Sequence, residues 1–283
     1  MRRRRIRIAA TRRRHTQPAI AAIDAPAWAR QWRGLGGLRP EKNVIGKWLG
    51  TGAMALWAGA ALAGPPYATD DPEPTDTGHW EIYAFAAGTF RHGEFEGATG
   101  LDLNYGPVRD IQLTATLPVD FSHDGGTHAG AGDVELGVKY RFLHDERAGF
   151  SFAIFPRVIL PTASRRFGTG RARLLLPAWA QKHFGPWSLF GGGGYTLNPG
   201  AGNRDFWQSG IALTREVAPG LSLGAEVTHQ SPDEAGGRGT TALGAGGIVH
   251  IAGSFSLLFS GGPVFAHRGG PGVNLYLALG LSY

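Results

Sequence analysis

From about residue 79 to the end of the chain, apolar and polar positions alternate in runs of ten to thirteen residues. A period of two places successive side chains on opposite faces of a β-strand. In Gly132–Leu143, Val134, Leu136, Val138, Tyr140 and Phe142 fall on one face, and Asp133, Glu135, Lys139 and Arg141 on the other. Asp110–Phe121 repeats this, with Ile111, Leu113, Ala115, Leu117, Val119 and Phe121 set against Gln112, Thr114, Thr116 and Asp120. At the C-terminus, Val273, Leu275, Leu277, Leu279, Leu281 and Tyr283 alternate with small or polar residues. Twelve strands are predicted, at 79–90, 97–106, 110–121, 132–143, 149–161, 172–184, 187–197, 205–217, 221–230, 240–251, 255–266 and 272–283. Tilted strands of roughly ten residues are long enough to cross a bilayer.

The connections sort by length. Those after the even-numbered strands are tight: 107–109, 144–148, Gly185-Pro186, Ala218-Pro219-Gly220 and Ala252-Gly253-Ser254. Those after the odd-numbered strands, at 91–96, 122–131, 162–171, 198–204, 231–239 and 267–271, are expected to be longer and glycine-rich. Short turns at one end, long loops at the other and an even strand count are properties of outer-membrane barrels. The fold class expected is therefore all-β: an antiparallel transmembrane barrel of about twelve strands, apolar outside, with a bore wide enough for water. Aromatics near strand ends (Trp80, Tyr83, Phe90, Tyr105, Phe121, Tyr140, Trp179, Trp187, Trp207 and Tyr283) suit interfacial girdles. Gly191–Gly194 marks a strongly curved strand or room inside the bore.

Charge changes the picture at the front of the chain. The formal net charge is +6, but residues 1–63 hold 13 Lys and Arg against two acids, and the rest of the chain is net −5. Residues 1–42 are basic and without an apolar run, a non-globular extension read as an over-extended start rather than a nucleic-acid-binding arm. Residues 43–63 read as a signal peptide: Lys47, the apolar stretch Trp48–Ala60, and a cleavage site between Ala63 and Gly64. Residues 64–283 form the barrel domain, opening with an extended Pro- and Asp-rich segment at 64–78. The chain has no cysteine, which removes disulfides and thiol chemistry.

The segment Gly64-Pro65-Pro66-Tyr67-Ala68-Thr69-Asp70-Asp71-Pro72-Glu73-Pro74, followed by Gly78-His79-Trp80-Glu81-Ile82-Tyr83, resembles the opening of a family of outer-membrane transport proteins, the MetA-pathway of phenol degradation group. Leu223–Val227, Gly236–Thr241 and Leu257–Gly262 resemble its distal half. The resemblance spans roughly 64–283 and implies an outer-membrane β-barrel of a Gram-negative bacterium, without catalytic residues to carry over. A final strand ending on Tyr283 also resembles the assembly signal read by the barrel-assembly machinery.

Candidate lumen residues come from the polar faces: Asp102, Asn104, Gln112, Thr114, Asp120, Asp133, Glu135, Lys139, Arg141, Arg157 and Glu226. Rings of charge bias what enters a pore, whereas a ladder of ion pairs would fill it. Asp70, Asp71, Glu73 and Asp76 lack calcium-loop spacing; a solvated linker or a segment folded back into the barrel is expected instead. An enzymatic alternative is an outer-membrane lipid hydrolase with Ser231 as nucleophile, His229 as base and Glu234 orienting it. His92, His123, His128, His144, His183, His250 and His267 are scattered, without metal-site spacing. The expected function is passage of small solutes, hydrophobic or aromatic ones included, with outer-membrane lipids as surroundings and no cofactor, metal or nucleic-acid partner. A closed structural barrel with partner-binding loops is the remaining alternative.

Overall fold

The computed structural model describes residues 66–123, 125–266 and 271–283. The basic extension at 1–42, the signal peptide at 43–63, the Ala63/Gly64 cleavage site and His267 lie outside the described residues.

Fourteen strand segments build the wall. They are β1 (Trp80–Arg91), β2 (Glu94–Val108), β3 (Ile111–His123), β4 (Thr127–Ala131), β5 (Glu135–Asp145), β6 (Phe150–Ile154) and β7 (Arg157–Ile159). The second half comprises β8 (Arg173–Phe184), β9 (Trp187–Leu197), β10 (Phe206–Ala218), β11 (Leu221–Gln230), β12 (Thr240–Ala252), β13 (Phe255–Ala266) and β14 (Pro271–Ser282). β4 and β5 together face β3, and β6 and β7 together face both β5 and β8. Each of these two pairs is one interrupted strand, so the ring has twelve staves, all antiparallel. Closure runs through β1 and β14, from Glu81 opposite Ser282 to Phe90 opposite Val273. Trp80 and Tyr283 exchange both backbone hydrogen bonds at the seam, at 2.8 and 3.0 Å. A closed ring leaves no unpaired edge, the condition for a sheet in lipid.

Two interruptions have local causes. Pro156, between β6 and β7, has no N–H for the ladder. Between β4 and β5, Thr162 from the loop after β7 stands in for a strand neighbour: its hydroxyl accepts from the Val134 N–H at 2.8 Å and donates to the Gly132 carbonyl at 3.2 Å. The strand expected to begin at Gly132 therefore begins upstream, at Thr127, and breaks before Glu135.

Loop lengths also need correcting. The connection expected at 91–96 is the two-residue turn His92-Gly93, whose φ values of 51° and 86° are those of a type I′ hairpin. Most of the loop expected at 122–131 is strand. The long connections run at 160–172, 198–205 and 231–239, all at the end away from Trp80 and Tyr283. We call that the loop end and the other the turn end.

The alternation sorts the two faces as expected. Leu136, Val138, Tyr140 and Phe142 point outward, each at least 41% exposed, while Lys139 between them is 3% exposed. Outward aromatics gather near both rims. Phe90, Phe95 and Phe121 cluster at the loop end (centroids 4.2 and 5.1 Å apart), and Trp80 stacks on Tyr105 at the turn end. Tyr83 and Trp179 are exceptions to the girdle expectation: both face the lumen and are buried.

Candidate functional site

The inward faces of the strands enclose a lumen, and residues 66–78 run through it as a crossbar. Thr69 and Asp71 have no exposed surface, and Thr75 is 4% exposed. Proline at 66, 72 and 74 keeps this stretch extended, and its backbone groups find partners on the wall.

At one side the crossbar rests on glycine. A Cβ on Gly224 would stand 2.7 Å from the Tyr67 hydroxyl, and one on Gly244 would stand 2.9 Å from Cγ of Glu226. Tyr67 donates to the Gly246 carbonyl at 2.9 Å and meets Phe190 edge-on. Burial and the nearby Glu226 carboxylate push its phenol well above the ordinary range, so it remains a donor. Glu226 is the main anchor here. Its carboxylate accepts from the Ala68 N–H at 3.0 Å, the Thr69 N–H at 2.9 Å and the Thr69 hydroxyl at 2.8 Å. The Ser260 hydroxyl donates to the Pro66 carbonyl at 2.6 Å.

At the other side the acids of the crossbar meet the bases of the wall. Lys139 Nζ lies 3.0 Å from Asp70 and 4.0 Å from Asp71, and also donates to the Glu73 carbonyl. Arg157 bridges Glu135 at 3.1 Å and Asp70 at 3.4 Å, while Arg141 joins Glu73 to Asp110. Phe155 lies beneath both Lys139 and Arg157, with its ring centroid 5.0 and 4.3 Å away. Lower down, the Thr75 N–H and hydroxyl both donate to Gln112, which in turn donates to Asn104 and Thr114. Asp71 holds a special place: burial, with Asp70 and Glu73 beside it, pushes its carboxyl up to about 8 against the pull of Lys139. It is therefore largely protonated at neutral pH.

The eleven lumen residues read from the sequence all sit on inward faces or inside the barrel, but in separate groups. Asn104, Gln112, Thr114, Lys139, Arg141, Arg157, Glu135 and Glu226 hold the crossbar directly or through one neighbour. Asp102 accepts from Thr116, and Asp133 pairs with Arg173. Asp120 lines a cavity above the crossbar. The acids at 70, 71 and 73 face cations of the wall, so the calcium geometry is not formed. The hydrolase constellation is not assembled either: His229 Nδ1 is bonded to the Thr241 hydroxyl at 2.9 Å, and the Ser231 hydroxyl accepts from the Trp207 N–H at 2.9 Å.

Toward the loop end the lumen opens into a cavity of about 1020 Å³ whose floor is Pro66, Tyr67 and Ala68. Small residues dominate its wall, with Glu96, Asp120 and Glu226, and loop residues Arg166 and Phe167 reach in over it. A side cavity of about 480 Å³ adjoins it, sharing Ala68, Thr228, Ala242 and Asn274. Toward the turn end the interior narrows, with a cavity of about 150 Å³ left among Glu81, Asp102, Asn104 and Gln112. Tyr83, Ile248, Leu258 and Ala278 form an apolar cluster, and buried Gln181 donates to Ser188 at 2.7 Å. Among the described residues, a bore lined throughout by polar groups and water is therefore not what this chain builds. Strand number sets the width of a barrel, but side chains decide how much of that width stays open.

Sequence reasoning missed Trp179, Phe190, Phe206, Leu258 and Val264 on the inward face. One signal for Trp179 was available: it shares its parity with Arg173 and Gln181 of the same strand. The run Gly191–Gly194 lies close against both neighbouring strands: a Cβ on Gly191 would stand 2.7 Å from the Gly210 carbonyl oxygen and one on Gly194 2.7 Å from Pro177.

Solved structures share this architecture. An outer membrane channel from Pseudomonas putida F1 superposes with a TM-score of 0.62 at 17% identity, over 75% of this chain and 98% of that one. The NanC porin superposes with a TM-score of 0.51 at 10% identity, over 70% of this chain and 98% of that one. At these identities the likeness establishes the fold, that of an outer-membrane β-barrel. No curated protein matches in sequence. The profile of the family described as "Putative MetA-pathway of phenol degradation" matches residues 69–274, from the middle of the crossbar into the final strand, and the chain belongs to that family.

Proposed function

We propose that this protein is a channel of the Gram-negative outer membrane that passes small solutes, hydrophobic and aromatic ones among them, by a non-covalent mechanism. The supporting observation is a cavity of about 1020 Å³ at the loop end whose floor is a chain segment, not a strand of the wall. That segment is held by glycine seats, hydrogen bonds and ion pairs, contacts that can be exchanged for water one at a time. In this reading the crossbar is the gate. Glu96 and Asp120, on the cavity wall, bias entry against anions. The outer-membrane channel from Pseudomonas putida F1 and the membership in a family named for phenol degradation favour this reading.

The reading includes export through the general secretory route with cleavage after Ala63, insertion by the barrel-assembly machinery through the strand ending at Tyr283, and outer-membrane lipid around the wall. N-terminal sequencing of protein from membranes checks the cleavage. Single-channel recording and liposome swelling check the passage. Brief openings are expected from the intact protein and sustained ones after deletion of residues 66–78. A barrel that folds yet conducts nothing in either form would refute it.

A further inference from the structure

The outer face of the wall is apolar along most of its strands, and its basic side chains stand together. Among the described residues, the outward strand positions hold two Lys or Arg residues, Lys182 on β8 and Arg215 on β10. Lys182 shares its parity with Leu176 and Phe184, and Arg215 with Ile211 and Leu213, all of them exposed. One strand, β9, separates the two cations. Leu189 stands opposite Lys182, and Trp187 opposite Arg215. The Arg215 guanidinium lies over the Trp187 ring, 5.1 Å from its centroid.

The closed wall does not require these charges. A basic side chain on the lipid face costs more the deeper it stands. Both stand one same-face step, about 7 Å, inside the last outward residue of their strand, Phe184 on β8 and Val217 on β10. Lys182 donates to the Ala148 carbonyl in the turn after β5, an uncharged acceptor that leaves two ammonium hydrogens over. The acids of this rim are turned elsewhere. Asp145 accepts from the Ala148 N–H at 3.0 Å, Glu146 lies 3.9 Å from His144, and Glu216 falls on the inward parity of β10. Among the described residues, neither cation is in an ion pair.

Beside the cations the same face changes character. Ala180 and Ala178 of β8 stand opposite Gly191 and Gly193 of β9, all at outward positions that lead away from the turn end. Phe152 and Ile154 of β6 border this track on one side, and Ile211 of β10 on the other. Two cations at the border of the apolar band, at the foot of a shallow apolar furrow, match an amphiphile with an anionic head. The short turns of an outer-membrane barrel face the periplasm, so this end meets the inner leaflet. We propose that the outer face of β8, β9 and β10 is a binding site for an anionic glycerophospholipid of that leaflet. Lys182 and Arg215 hold its phosphate beside Trp187, and one acyl chain lies over Ala178, Ala180, Gly191 and Gly193. The site needs the barrel to stand in a membrane and is independent of whether solutes pass through it.

Native mass spectrometry of the detergent-purified barrel tests this, with phosphatidylglycerol and phosphatidylethanolamine of the same acyl chains added in equal amounts. Bound phosphatidylglycerol is expected to exceed bound phosphatidylethanolamine about fivefold or more, the preference that basic residues near a lipid surface give. Lys182→Gln combined with Arg215→Gln is expected to bring that ratio close to one. Arg109→Gln, which removes an exposed cation from a different turn, should leave it unchanged, with heat-modifiable gel migration confirming that the variants fold. A measurement on the unsubstituted protein stands apart from folding: raising the salt from about 50 to about 500 mM should lower the preference several-fold. Equal binding of the two lipids, a preference that survives the double substitution or the added salt, or its loss in Arg109→Gln would overturn the site. Displacement of the bound lipid by millimolar glycerol 3-phosphate would overturn the choice of a lipid over a free phosphate ester.

Discussion

The two halves of the lumen wall are built on different principles. From β1 to β7 the inward face carries Glu81, Asp102, Glu135, Lys139, Arg141 and Arg157. From β8 to β14 it carries mostly neutral groups, the apolar Trp179, Phe190, Phe206, Ala212, Ile248, Leu258, Val264 and Ala278 and the polar Gln181, Ser188, Thr196 and Ser256, all buried, with Arg173 paired to Asp133 and Glu226 anchoring the crossbar. On the charged side each group needs a specific partner, because a buried ion without one is costly. The acids of residues 70–73 supply part of that partnering, so the crossbar and the charged wall depend on each other. On the apolar side, packing has no such exclusivity. The charged half therefore sets where the crossbar sits, and the apolar half sets how far packing fills the interior beside it.

Deleting residues 66–78 should have the largest effect and tests that dependence most directly. Lys139 would lose its ion-pair partners, and Arg141 and Arg157 would keep only Asp110 and Glu135, while the wall remained closed, and conductance is expected to rise several-fold in single-channel recordings. A barrel that misfolds without the segment would show that the crossbar is structural rather than a gate.

Next comes a matched pair of substitutions. Lys139→Met removes the centre of a buried ion cluster, and breaking such a cluster costs about 3–5 kcal/mol, a loss expected to fall on docking of the crossbar, which carries Asp70 and Asp71, and not on the closed wall. Leu258→Ala removes a packed side chain from the apolar cluster, worth about 2–5 kcal/mol. The comparison predicts different readouts: Lys139→Met should lengthen openings with little change in the heat-modification midpoint of the barrel, and Leu258→Ala should lower that midpoint without opening it. If both variants behave alike, the two halves are not functionally distinct.

Glu226→Gln is expected to do less. Three charge-assisted hydrogen bonds become weaker neutral ones or are lost, at about 1.5–3 kcal/mol for such a bond to a charged group. The opening rate should rise modestly, with closure still governed by the Lys139 cluster.

The smallest effect is on pH. Asp71 in its buried place is pushed up to about 8, above its value in the unfolded chain. A group raised in this way contributes stability that is full at low pH and is lost as pH rises through the folded value. Open probability should therefore increase as pH rises from about 4 to about 8 and level off above that, and Asp71→Asn should flatten that rise. An unchanged profile in Asp71→Asn would place the pH response elsewhere.

Strand count, the outward set Leu136, Val138, Tyr140 and Phe142, and the final strand ending on Tyr283 could be read from the chain alone, because a period of two is a local property and lipid demands that one face stay apolar. Spans such as 187–197, 221–230 and 255–266 match the observed strands end to end for the same reason. What fills the inside could not be read that way. The inward face has no solvent that dictates its chemistry, so Lys139 and Trp179 are equally admissible there. Nor does any local pattern show that Thr69 meets Glu226, 157 residues away, or that Asp70 meets Lys139 and Arg157. Those contacts exist because closing the ring brings distant inward faces within reach of one extended segment, and ring closure is a property of the tertiary structure alone.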